Sequence, residues 1–172
     1  MKIDFVTISD QQPGRIATLL RASYAHLLKL EPRWASENKK WEEYDRQVFA
    51  HPGAVGARIF FTRLDGHVVG FGSWDPRQGP EYGIVGHNCI LPEFRGKGLG
   101  KLQIQEILRR FQIHGIKTAK ASTGDHPFFI PAQRMYLACG FREVRRTARK
   151  TGFGLKIVEY ERDLGQRRRE CF

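Results

Sequence analysis

The run Arg95-Gly96-Lys97-Gly98-Leu99-Gly100-Lys101 stands between a strand-like stretch ending at Pro92 and an amphipathic stretch, and few backbones satisfy that order. Downstream, Leu99, Leu102, Ile104, Ile107, Leu108 and Phe111 recur at helical spacing, Arg109 and Arg110 come near the end, and Gly115 lies just beyond. A helix therefore opens inside the glycine run. Its first turn leaves backbone N–H groups unpaired and carries the positive end of the helix dipole, so it can receive an anion. Glycines at 96, 98 and 100 let phosphate oxygens reach the main chain and permit positive φ. Arg95, Lys97 and Lys101 are expected to add charge around the rim.

Two familiar phosphate loops fail on spacing. Counting G-x-G-x-x-G from Gly96 and Gly98 puts Lys101 at the third position. A P-loop ending in Gly100-Lys101 would need glycine at Arg95 and Ser or Thr at Leu102. The expectation is an anion cradle of another kind, open to any phosphate.

With 172 residues and 41% apolar content, the chain suits one compact domain, 1–165, followed by a basic tail, 166–172. Turn residues punctuate alternating strand and helix patterns. A strand over 2–8 leads to a helix carrying Ile16, Leu19, Leu20, Tyr24, Leu27 and Leu28, with Ser9 and Gln12 resembling its capping box. Trp41, Tyr44 and Val48 mark a second helix. Strands over 57–63 and 67–74 flank the hairpin dipeptide Asp65-Gly66, and a further strand runs over 82–91. Beyond the glycine-run helix come a strand over 116–123 and a short helix between Pro131 and Gly140. Closing strands over 142–148 and 155–161 flank Gly152-Phe153-Gly154 as a hairpin.

No stretch has the roughly 20 apolar residues of a membrane span, and the N-terminus lacks a signal-like apolar region, so no membrane role and a cytoplasmic location are expected. Cys89, Cys139 and Cys171 lack metal-ligand spacing and are odd in number; neither a zinc site nor a disulfide framework is indicated. The net charge of +11 favours anionic partners. The basic runs Arg142 to Lys150 and Arg167-Arg168-Arg169 read first as a solvated strand face and a frayed tail, which disfavours nucleic acid.

Arg95-x-x-Gly98-x-Gly100 matches the Q/R-x-x-G-x-G/A signature of the GNAT superfamily of acyl-CoA-dependent N-acyltransferases, and Ile90-Leu91-Pro92-Glu93-Phe94 resembles that family's lead-in. Ala132 to Phe141, with Tyr136 and Gly140-Phe141, is similar to its later tyrosine-bearing motif. The resemblance implies an α/β layout with a mixed, mostly antiparallel central sheet, a splayed parallel strand pair and flanking helices. It also implies acetyl-CoA as co-substrate, no metal, and direct attack by a small-molecule or peptide amine. Under it Gly96, Lys97, Gly98, Leu99, Gly100 and Lys101, with Arg95, would hold the cofactor. A backbone N–H at Leu91 or Ile90 would meet the developing oxyanion, and Tyr136 would be the acid for the leaving thiolate. Homodimers through exposed C-terminal strands are a further implication.

For a base, strand alternation puts His87, Cys89 and Leu91 on one face, and His87 has a suitable pKa. Glu81 and Asp125 are weaker options. Cys89 reads as a small apolar residue in preference to an acyl-carrying nucleophile. Where the family often has Asn, seven residues before the tyrosine, this chain has Phe129, which suggests an apolar wall near the cofactor arm or acceptor pocket. Glu31, Glu37, Glu42, Glu43 and Asp75 are candidates to attract a cationic acceptor. The alternative reading is a non-catalytic acyl-CoA sensor or nucleic-acid-binding module on the same fold.

Overall fold

The computed structural model describes residues 2–148 and 155–165. The expected hairpin turn at Gly152-Phe153-Gly154, the tail 166–172 and Cys171 lie outside the described residues. Strands β1 (Ile3–Val6), β2 (Ile59–Leu64), β3 (His67–Asp75), β4 (Tyr82–Ile90), β5 (Thr118–Gly124), β6 (Arg142–Ala148) and β7 (Lys156–Asp163) form one sheet in the order β1-β2-β3-β4-β5-β7-β6. Neighbours are antiparallel except β4 and β5, which run parallel. This is the mixed sheet with a parallel pair that the sequence implied. Helices α1 (Arg15–Leu30) and α2 (Glu37–Ala50) cover one face; α3 (Leu99–Ile113) and α4 (Ile130–Ala138) cover the other.

Alternation along the strands feeds both layers. Ile59 and Phe61 point to the α1–α2 layer with Ile16, Leu20, Trp41 and Val48, while Phe60 joins Ile104, Ile107 and Phe111 of α3. Asp65 (φ 48°) and Gly66 (φ 85°) make the tight β2–β3 turn, as their pairing predicts. The α3 stripe differs at one step. Leu102 is 36% exposed, and Gln103 is buried in its stead, its Nε2 donating to Thr62 Oγ1 (2.8 Å) and to Cys89 O (3.1 Å). A buried amide is tolerated because both its hydrogens find acceptors.

The start of α1 corrects the sequence reading. Ser9 lies in a separate 3₁₀ turn, and the helix opens at Gly14 (φ 90°) with no local side-chain cap. Asp45, reaching over from α2 and 4% exposed, accepts from Gly14 N (2.6 Å), Ile16 N (2.8 Å) and Ala17 N (3.2 Å). One carboxylate thus satisfies the helix end and neutralises its dipole.

Two departures from regularity shape the centre of the sheet. The β4–β5 pairing is limited to Tyr82↔Thr118, Gly83↔Ala119 and Ile84↔Lys120, after which the strands diverge. The β3–β4 register shifts between Gly72↔Asn88 and Trp74↔Val85, leaving an extra residue in β4. This bulge reverses the alternation: Val85 packs in the α3–α4 layer, and Asn88 again faces α4, while His87 and Cys89 face α1 and α2.

Candidate active site

The divergence of β4 from β5 opens a cleft whose wider part, about 450 Å³, reaches from the N-terminus of α3 inward between β4 and α4. Phe94, Arg95, Gly96, Gly98, Leu99, Gly100 and Lys101 form its outer end. Gly96 (φ 75°) and Gly98 (φ 78°) hold left-handed conformations that an L side chain adopts only with strain, and nothing blocks the space above them. No side chain caps α3, and its ladder begins with Leu102 N–H to Gly98 O (3.1 Å). The N–H groups of Leu99, Gly100 and Lys101 therefore precede the ladder and face outward. Gly100 also lets α4 approach: a Cβ there would lie 2.9 Å from Met135 Sδ.

Two expected rim charges sit differently. Arg95 is a brace: its Nε donates to Ile90 O (3.0 Å) and its Nη2 to Ser23 O (2.8 Å), tying the glycine loop to β4 and α1. Lys97 lies over the Phe94 ring, 5.4 Å from its centroid, and is not among the residues lining the cleft. Lys101 does line it.

The oxyanion expectation narrows to one residue. Leu91 N–H donates to Val69 O (2.8 Å), so it is engaged within the sheet. In an antiparallel ladder successive N–H groups alternate sides, so those of Ile90 and Asn88 point away from β3 into the splay. Ile90 lines the cleft; Leu91 does not.

A smaller inner cavity of about 320 Å³ lies beyond, lined by Val85, Gly86, His87, Ser122, Thr123 and Tyr136 among others. Tyr24, Asn88, Phe129 and Ala132 border both spaces. Phe129 is thus part of the partition, an aromatic wall packed on Tyr24 (6.2 Å) and Trp34 (5.8 Å). Tyr136 is 3% exposed, and its hydroxyl accepts from Asn88 Nδ2 at 3.2 Å. Burial pushes its pKa up to about 12, although the Asn88 hydrogen bond pulls the other way. The phenol stays protonated at neutral pH and is available as a donor.

His87 contributes to the inner cavity and stacks near Tyr44 (5.0 Å). The His87 side chain keeps an exposed face, while the cavity walls around it desolvate the charged form and lower its pKa from 6.5, opposed by Glu37. A neutral imidazole at pH 7 follows. Glu81 pairs with Lys117 (2.7 Å), and Asp125 receives Lys156 N–H (3.1 Å); neither borders either cavity. Cys89 is buried, and desolvation raises its thiol to about 11, which makes it a poor nucleophile. The acidic candidates for the acceptor side are matched by cations: Glu31 with Arg33, Glu37 with Lys40, Glu42 with Arg21, Glu43 with Arg46, and Asp75 with Arg58 and Arg77. Sequence reasoning did not pick out Asn88 or Ser23. The Ser23 hydroxyl is buried beside the cleft with no nitrogen or oxygen partner among the described residues. An isolated Asn or Ser carries no spacing signal.

The sequence profile of the acetyltransferase (GNAT) family matches residues 21–141, which span both halves of this cleft. The chain belongs to that family. No curated protein matches it in sequence. Among solved structures it is similar to a protein assigned to the GNAT family from Desulfovibrio desulfuricans (TM-score 0.74, 18% identity, covering 95% of this chain and 100% of that one). Ard1 from Thermoplasma volcanium superposes with TM-score 0.71 at 12% identity, covering 96% and 100%. The structure of yncA from Salmonella typhimurium with its cofactor acetyl-CoA gives 0.69 at 13% identity, covering 95% and 94%. At these identities the likeness establishes the GNAT fold. No helix among the described residues is long and apolar enough to cross a membrane.

Proposed function

We propose that this GNAT protein transfers an acetyl group from acetyl-CoA to a compact primary amine by direct attack in a ternary complex. The observation that carries the reading is the pair of cavities meeting at Asn88 and Phe129, one running to an uncapped helix start, the other lined by Tyr136 and His87. The outer space fits a long, polyanionic thioester. The N–H groups of Leu99, Gly100 and Lys101, with the glycines at 96 and 98, would hold its pyrophosphate. The yncA structure, solved with acetyl-CoA, supports that choice of donor.

Acetyl-CoA supplies a carbonyl carbon bonded to a leaving thiolate; the chain supplies the setting. Ile90 N–H, aimed into the splay, is the donor for negative charge developing on the carbonyl oxygen. Neutral His87 takes the proton released as the amine nitrogen forms its C–N bond. Tyr136 donates to the sulfur as the C–S bond breaks. With its pKa near 12 the phenol does so chiefly as a hydrogen-bond donor, because full transfer to a thiolate of ordinary pKa about 8.5 would be uphill by roughly 5 kcal/mol.

Among the described residues the inner wall holds no carboxylate and no Lys or Arg, and the chain carries +11 overall. A compact amine with an uncharged or aromatic body suits it better than a polycation. The test is thiol release from acetyl-CoA across ethanolamine, 2-phenylethylamine, phenylalanine amide, spermidine and an alanyl tripeptide. Turnover of the small amines above spermidine is expected; tight CoA binding with no turnover on any amine would favour a sensor. Tyr136→Phe should lower kcat about 10- to 100-fold with CoA affinity preserved. As a base, His87 works when deprotonated, so kcat/KM falls as pH drops through its pKa. Because that pKa lies below 6.5, the acid limb should appear below pH 6.5, and His87→Gln should remove it.

A further inference from the structure

Asn88 is the residue on which both cavities and the bulge converge. Its Nδ2 donates to Gly86 O (3.2 Å) and to Tyr136 Oη (3.2 Å). A carbonyl can only accept, so the Gly86 contact identifies which end of the amide is nitrogen, and the Tyr136 oxygen must accept from the same group. The phenol's own hydrogen is therefore free of Asn88 and points elsewhere. Gly86 is itself pinned. A Cβ at that position would lie 2.3 Å from Ser73 Oγ, and that hydroxyl donates to His87 O (2.8 Å). Both hydrogen bonds thus start at the Asn88 amide, one anchoring it on the bulge carbonyl and the other ending on the phenol oxygen.

We propose that Asn88 is a positioning residue: through the bulge carbonyl of Gly86 its amide fixes the direction in which Tyr136 offers its hydrogen to the leaving sulfur. The inference rests on the role given to Tyr136 above. Asn88→Ala leaves the phenol free to rotate, and some encounters still present the hydrogen correctly. Asn88→Asp is nearly isosteric but replaces the donor with an acceptor. A carboxylate captures the Tyr136 hydrogen and turns it away from the sulfur. Directionality therefore predicts that Asp is worse than Ala, whereas a packing role predicts the reverse, because Ala removes volume and Asp does not.

The experiment measures kcat and KM for acetyl-CoA, by thiol release with the fastest amine of the panel, for both variants in wild-type and Tyr136→Phe backgrounds. Expected in the wild-type background is a kcat loss of about 3- to 10-fold for Ala and more for Asp, with KM for acetyl-CoA within about threefold. In the Tyr136→Phe background both losses should shrink below about twofold. An Asp variant as active as Ala, or losses that persist without the phenol, would overturn the proposal. If Asn88→Asp does not fold, the Ala and Phe cycle still decides by additivity. Tyr136→Phe at full kcat, or no turnover with any amine, would instead remove the reading beneath it, and the proposal with it.

Discussion

Helices α1 and α3 begin alike and end up with different tasks. Each opens on a glycine in the left-handed region, Gly14 at φ 90° and Gly98 at φ 78°, with no local side-chain cap. At α1 the exposed donors are taken by Asp45, a buried carboxylate delivered from α2. At α3 they border an open cleft. The same backbone device is a structural joint where the chain provides its own anion and, under the proposed function, a receptor where it does not.

The comparison can be broken most forcefully at Asp45. Asp45→Ala strips a buried helix end of its acceptor and should cost about 2–4 kcal/mol of unfolding free energy by urea titration, with CoA affinity unchanged in the folded protein. A loss below about 1 kcal/mol would mean that water replaces the carboxylate and the joint is not what holds α1.

A paired substitution sharpens the contrast. Ala at position 14 or 98 meets no atom within 4 Å, so each change tests conformation alone. Both should lose about 1–2 kcal/mol of stability through positive-φ strain. Gly98→Ala should also weaken CoA binding about tenfold by calorimetry, as the reoriented N–H groups lose the phosphate, and Gly14→Ala should not. Equal CoA affinity in the two variants would deny α3 its receptor role.

The smallest expected difference is in salt. Raising NaCl from about 0.05 to about 0.5 M should weaken CoA binding several-fold, because charges at an open cleft are screened. The buried α1 joint should barely respond, so the melting temperature ought to move little. A salt-independent CoA affinity would assign the binding to the apolar walls.

What the sequence discloses and what it hides follow the same division. The glycine run, the α3 stripe, the Asp65-Gly66 turn and the Gly140-Phe141 ending are local signals, with cause and consequence within a few residues. Through the family resemblance they carry, they lead to the right mixed sheet and its parallel pair. The α1 cap is 31 residues from the backbone it serves, and Ser9 with Gln12 imitates a cap only in one dimension. Arg95 looks like a rim charge until Ser23, 72 residues away, takes its guanidinium. Alternation put His87 and Cys89 on one face, where the structure has them, but a lone Asn on the other face carries no spacing signal, and so Asn88 went unseen. Phe129, by contrast, was readable as an aromatic wall because its position relative to Tyr136 is local.

The place of β7 in the sheet has a consequence for how the protein is born. Among the described residues, every side chain assigned to the two cavities, from Ser23 to Ala138, precedes the strand Lys156–Asp163, which inserts between β5 and β6 and pairs with β5 from Thr118↔Asp163 to Gly124↔Ile157. On the ribosome the whole chemical inventory emerges first, while the cleft wall carrying Ser122 and Thr123 is still an unpaired edge. Synthesis of β7 therefore acts as a timer, holding back the assembled cleft until that strand has emerged.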